Sequence, residues 1–154
     1  MPETFLYTGT DHWTLTLPQR CWNRGEVFRW IFEGTTPVSL ETGPAGRVFL
    51  DAMIVAVDAL VQSGHSVVVE TGFWGEELER CRDRWVHLAP LFVSVRCPLE
   101  VLEAREVARG DRMPGLARLQ FSLIPAEGSY DVELDTSLVS PADAAESIKQ
   151  RLHP

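Results

Sequence analysis

Apolar positions along the chain alternate between helical and strand spacing. From Pro44 to Gln62, Leu50, Met53, Ile54, Val57, Leu60 and Val61 recur every three or four residues, predicting a helix with one buried stripe, closed by Gly64. Core packing is the only role this stripe suggests. Val67-Val68-Val69 is a continuous β-branched run and predicts a buried strand ending in Glu70-Thr71-Gly72. Thr4 to Tyr7, Leu91 to Val95 and Val132 to Leu134 predict three further strands. Glu76 to Trp85 reads as a charged helix exposed on one side. Pro98 is placed to open a helix at its first position, with Gly110 as its stop, and Leu116 to Ile124 makes a short helix. Ser140-Pro141-Ala142-Asp143 opens the last helix with Ser140 as N-cap. Residues 12–32 hold Trp13, Trp22, Phe28, Trp30 and Phe32 without a period, but Val27 to Phe32 and Pro37 to Leu40 flank Glu33-Gly34-Thr35-Thr36 as a hairpin would. Strands alternating with helices predict an α/β fold: a parallel sheet with flanking helices and right-handed crossovers, in one domain covering 1–154.

Composition narrows the partners. The 154 residues are 45% hydrophobic and 23% charged, values of a globular chain with a real core. A formal charge of −8 argues against nucleic acid and against an anionic membrane. No apolar run is long enough for a bilayer, and MPETFLYTGT lacks a signal peptide's basic and apolar regions, so a cytoplasmic location is the expectation. Three cysteines without a CxxC pair and four scattered histidines point to neither a disulfide framework nor a zinc site. Arginines number thirteen against the single Lys149. Outside the last helix, every anion contact must therefore come from arginine or backbone N–H.

In open parallel sheets ligands gather at the carboxyl ends of the strands, where Asp11, Glu70 and Arg96 are expected. Asp11 suits a general base taking a proton from a hydroxyl, or else an N-cap for the following turn. Glu70 suits a magnesium ion held through water, or else a loop cap. Arg105 and Arg109 share a helix face, Arg112 follows the Gly110 break, and Arg118 lies on the next helix. Their forked guanidinium groups suit phosphate oxygens. Equally, Glu103, Glu106 and Asp111 could neutralise them as a solvated ion-pair network. The aromatic segment 12–32 reads as an acceptor pocket or as core.

These residues resemble the chloramphenicol phosphotransferase family, small kinases of the P-loop nucleotide-binding fold. The strongest likeness runs from Val95 to Thr136: Val95-Arg96-Cys97, Ala104-Arg105-Glu106, Ala108-Arg109-Gly110-Asp111-Arg112, Gly115-Leu116-Ala117, Gln120, and Tyr130-Asp131-Val132-Glu133-Leu134-Asp135-Thr136. A weaker likeness covers Gly9-Thr10-Asp11, the helix from Pro44, and Val67 to Glu70. The resemblance implies ATP with Mg2+ as donor and a hydroxyl of a small antibiotic-like molecule as acceptor. It also implies Asp11 as catalytic base, and Arg109 and Arg112 as lid arginines steadying the transferred group.

Two departures stand out. The family's G-x-x-x-x-G-K-[ST] phosphate loop has no counterpart, since no Gly-Lys pair occurs, and Thr42-Gly43-Pro44-Ala45-Gly46-Arg47 has the wrong spacing. The expectation is that the family's first, central strand, its loop and its helix are absent together, as in a start assigned too far downstream. Val67–Val69 and Leu91–Val95 would then pair directly or leave backbone groups unsatisfied. Pro125 also stands where the family usually has a histidine. Two other classes remain beside the kinase: a non-catalytic binding protein for a small hydroxylated molecule, and a structural remnant forming a homodimer through an exposed sheet edge.

Overall fold

A computed structural model describes residues 4–22, 25–72, 75–111, 113–124 and 130–152. The chain packs as two compact units, 1–89 and 90–154. Each is mixed α/β, with a small parallel sheet and flanking helices.

In the first unit, strand β1 (Phe5–Gly9) runs into a one-turn helix α1 (Thr10–Thr14). Strands β2 (Phe28–Glu33) and β3 (Thr36–Thr42) form the expected antiparallel hairpin, turning at Gly34, whose φ of 61° favours glycine. Helix α2 (Pro44–Gln62) follows, then β4 (Ser66–Glu70) and α3 (Gly75–Trp85). The α2 stripe does what its spacing predicts: Leu50, Met53, Ile54 and Val57 are buried together with Val27, Phe28, Cys81 and Trp85. Trp13, Trp22 and Phe49 pack on this cluster, with Trp22–Phe28 and Phe28–Phe49 ring centroids 5.4 and 6.3 Å apart. Trp13, Trp22 and Phe28, of the aromatic segment 12–32, therefore serve the core. The indole N–H of buried Trp85 donates to the Ile54 carbonyl at 3.0 Å, so the ring enters the core without an orphaned donor.

The start of α2 is closed by backbone. Gly43 N–H donates to the Val27 carbonyl at 2.8 Å, and Ala45 N–H to that of Glu26 at 3.0 Å. A Cβ on Gly46 would stand 2.2 Å from the Val27 oxygen. The glycines of Gly43-Pro44-Ala45-Gly46 thus let the hairpin entry press against the helix.

The second unit holds β5 (Val93–Arg96), α4 (Leu99–Arg109), α5 (Leu116–Leu123), β6 (Val132–Asp135) and α6 (Pro141–Leu152). Pro98 sits one place earlier than expected, at the N-cap, its carbonyl accepting from Val101 and Leu102. Gly110 ends α4 with φ of 66°. Ser140 caps α6 as predicted: its Oγ accepts the Asp143 N–H at 3.2 Å and donates to the Asp143 carboxylate at 2.6 Å.

Among the described residues the strands pair two by two, in two parallel pairs and one antiparallel pair. β1 pairs with β4 in parallel, Phe5 opposite Ser66 through Gly9 opposite Glu70, and β5 pairs with β6 in parallel, Val93 opposite Val132 through Arg96 opposite Asp135. Each parallel pair is joined through intervening helices, as parallel strands require. The hairpin strands pair antiparallel because a two-residue turn can only join antiparallel neighbours. Val67–Val69 thus finds its ladder in β1, and Val93–Val95 in β6.

Candidate functional site

The carboxyl end of the β1–β4 pair gathers four polar side chains. Gly9 closes β1 and is also the N-cap of α1, so Asp11 lies inside the first turn of that helix and does not cap it. A carboxylate in a first turn is favoured by the free amide dipoles there. Gly9 is needed for approach, because a Cβ would meet the Glu70 carbonyl at 2.7 Å. This tight joint brings Asp11 and Glu70 to the same end of one parallel pair. Both are exposed.

Two further residues join them, which pattern reading overlooked. The Tyr7 hydroxyl donates a hydrogen bond to Glu70 Oε2. The Tyr7 ring stands edge-on to His12, with centroids 5.1 Å apart. Glu70, as hydrogen-bond acceptor and nearby negative charge, raises the Tyr7 phenol above its ordinary value of 10.0; partial desolvation and the Asp11 charge add to this. Beside them the Trp13 indole N–H donates to Thr8 Oγ1 at 3.0 Å. Tyr7 sits in an exposed strand and was read only as strand-forming; its partner is 63 residues away, a distance no local spacing reveals.

The arginines belong to the second unit, and among the described residues Arg96, Arg105, Arg109 and Arg118 each have a partner. Arg105 reaches from α4 to the turn after β6, donating to Thr136 Oγ1 at 2.9 Å and to the Thr136 carbonyl at 2.8 Å. Arg109 lies 3.3 Å from Asp111, and Arg118 2.7 Å from Glu103. Glu103 and Asp111 thus neutralise arginines as the ion-pair reading supposed. Glu106 does something else: its carboxylate accepts the Gly115 and Ala117 N–H groups at 2.8 and 2.7 Å. Arg96, at the end of β5, lies over the Tyr130 ring at 5.7 Å. Arg112 and Pro125 lie outside the described residues.

Pairing does not disqualify the exposed arginines as anion ligands. The Arg109–Asp111 pair is more than half exposed on both sides. Such pairs contribute 0 to about 1 kcal/mol, so an incoming phosphate competes with little. Arg105 is held by two hydrogen bonds to Thr136.

The segment Tyr130 to Thr136 is also mostly structural. Asp131 Oδ2 accepts the Phe92 N–H at 2.7 Å, the Thr136 N–H donates to the Arg96 carbonyl at 2.8 Å, and Asp135 accepts from Ser137 N–H and Oγ. Those Ser137 bonds hold the Asp135 carboxyl below its ordinary value.

Two features have polar groups engaged within the fold. The Gly43–Gly46 stretch cannot cradle phosphate, since the Gly43 and Ala45 N–H groups already meet the Val27 and Glu26 carbonyls. Buried Asp58 is held by Gln62 at 2.9 Å, by Arg84 at 2.7 Å and by His87 at 2.9 Å. Among the described residues no cluster of three or more His, Cys, Asp or Glu could hold a metal, and no helix is long and apolar enough to cross a membrane.

A family model described as chloramphenicol phosphotransferase-like protein matches residues 1–153. The chain belongs to that family. Proteins of two Mycobacterium tuberculosis strains, CDC 1551 / Oshkosh and ATCC 25618 / H37Rv, carry the name "Putative O-phosphotransferase" and are each 25% identical over 164 residues, covering 96% of this chain and 70% of theirs. The span matched to the chloramphenicol phosphotransferase-like family takes in both the Asp11 turn and the arginine turn. A phosphotransferase-like function on a small molecule follows at the level of the family.

Proposed function

We propose that this chloramphenicol phosphotransferase-like chain is an O-phosphotransferase that moves the terminal phosphoryl group of ATP to a hydroxyl of a small antibiotic-like molecule. The observation that carries this reading is the family match across 1–153, taken with an exposed carboxylate, Asp11, at the carboxyl end of a parallel strand pair. In the proposed step the acceptor oxygen bonds to phosphorus as the bond from phosphorus to the leaving diphosphate oxygen breaks. The acceptor proton passes to the Asp11 carboxylate. Arg109, Arg112 and Arg118 offset the charge developing on the transferred group, while Arg105 enters through its hold on the Thr136 turn. Positioning and charge carry most of the catalysis in such reactions.

Magnesium fits only as a loosely held ion. Glu70 offers one carboxylate, with one oxygen engaged by Tyr7. Mg2+ commonly keeps several waters and takes one or two carboxylates plus substrate phosphates. Glu70 would contact it through water, and the ion would supply neutralising charge.

A second reading is a binding protein that holds the hydroxylated acceptor without transferring phosphate. Incubation with ATP, Mg2+ and a panel of hydroxylated antibiotics, read by mass spectrometry, separates the two. Transfer predicts one added phosphate on at least one acceptor. Acceptor binding by calorimetry, indifferent to ATP and without product, would establish the binding protein instead.

A further inference from the structure

The contact that neither the arginine pattern nor the proposed step explains is the one made by Glu106. Its backbone carbonyl accepts the Gly110 N–H at 3.2 Å, closing the end of α4. Its carboxylate accepts the Gly115 N–H at 2.8 Å and the Ala117 N–H at 2.7 Å, one oxygen to each, capping the start of α5. One residue therefore pins both ends of the connection between the helices. Gly110 and Gly115 take left-handed conformations, φ 66° and 88°, so the chain turns sharply at the pinned points. Arg109 is the last residue of α4, and Arg112 falls between the two glycines in sequence.

We propose that Glu106 is the positioning residue of the arginine turn. It ties the start of α5 to the last turn of α4, so that Arg109 on α4 and Arg118 on α5 are presented together to a phosphate group. The inference rests on the phosphate-transfer reading above and extends it. Charge-assisted hydrogen bonds from a carboxylate to two amides are the strong kind, and bidentate geometry adds direction. Simple electrostatics makes the opposite prediction. Glu106 is an acid within three residues of Arg105 and Arg109, so removing its charge should tighten anion binding. Loss of alignment should weaken it, and the sign distinguishes the two.

The test uses the full chain, inorganic pyrophosphate as the probe, and two variants. Glu106→Gln keeps the length and loses the charge; Glu106→Asp keeps the charge and loses the reach. Dissociation constants come from amide shifts of residues 105–118 in a nitrogen–proton NMR titration, with amide exchange and a thermal melt run alongside. Support would be pyrophosphate binding by the parent chain, about tenfold or weaker binding by both variants, faster exchange at Gly115 and Ala117, and a cooperative melt retained. Equal or tighter pyrophosphate binding by either variant, unchanged exchange at those two amides, or loss of the cooperative melt in both would overturn the positioning role alone. A parent chain that does not bind pyrophosphate would overturn the phosphate reading together with it.

Discussion

Asp58 shows how a single side chain ties local chemistry to stability. It is buried on α2, and its hydrogen bond from Gln62, those from Arg84, and the charges of Arg84 and His87 hold its carboxyl below the ordinary 3.8, against the opposing effect of burial. A depressed carboxyl contributes stability that is fully present above the unfolded value and is lost as pH falls through the folded one. The chain should therefore lose stability below about pH 4, and Asp58→Asn should flatten that acid limb in urea unfolding from pH 5 to 2. An unchanged acid limb would remove Asp58 from the account. Nothing in the spacing of α2 announced this cluster: Asp58 lies among core positions, and its partners Arg84 and His87 come from 26 and 29 residues further on. Glu70 and Asp11 were legible because strand ends are where polar residues gather. Tyr7 was not, because its role depends on which strand lies beside β1. Cys81 is legible only as core: burial pushes its thiol up to about 12, which leaves it inert in the folded chain.

Elements were read more surely than their companions. The α2 stripe, the Gly34 hairpin, the Gly110 stop and the Ser140 cap all follow from periods and turn chemistry that act within a few residues. Pairing does not: β1 takes β4 and β5 takes β6 as ladder partners across intervening helices, beyond the reach of any local pattern. Gly46 separates local propensity from packing. In an exposed helix, glycine to alanine stabilises by roughly 0.5–1 kcal/mol. Here the added Cβ would meet the Val27 carbonyl at 2.2 Å and a Thr42 methyl at 2.9 Å. Gly46→Ala should instead destabilise by about 1–3 kcal/mol, seen as a lower urea midpoint with an unchanged slope. A raised midpoint would mean the hairpin entry does not bear on α2.

At the scale of the whole molecule, the family match takes in residues of both compact units. Asp11 is the residue on which the reading turns. It sits in a helix first turn, exposed, at the end of the β1–β4 pair. Asn at that position keeps the shape and removes the proton acceptor, and general bases contribute typically 10² to 10⁴ in rate. The decisive measurement is the rate of phosphate transfer from ATP to a hydroxylated acceptor by the parent chain and by Asp11→Asn, with melts confirming that both are folded. The account predicts a fall of about 100-fold or more with acceptor affinity retained. Transfer at the parental rate by a folded Asp11→Asn chain would contradict it.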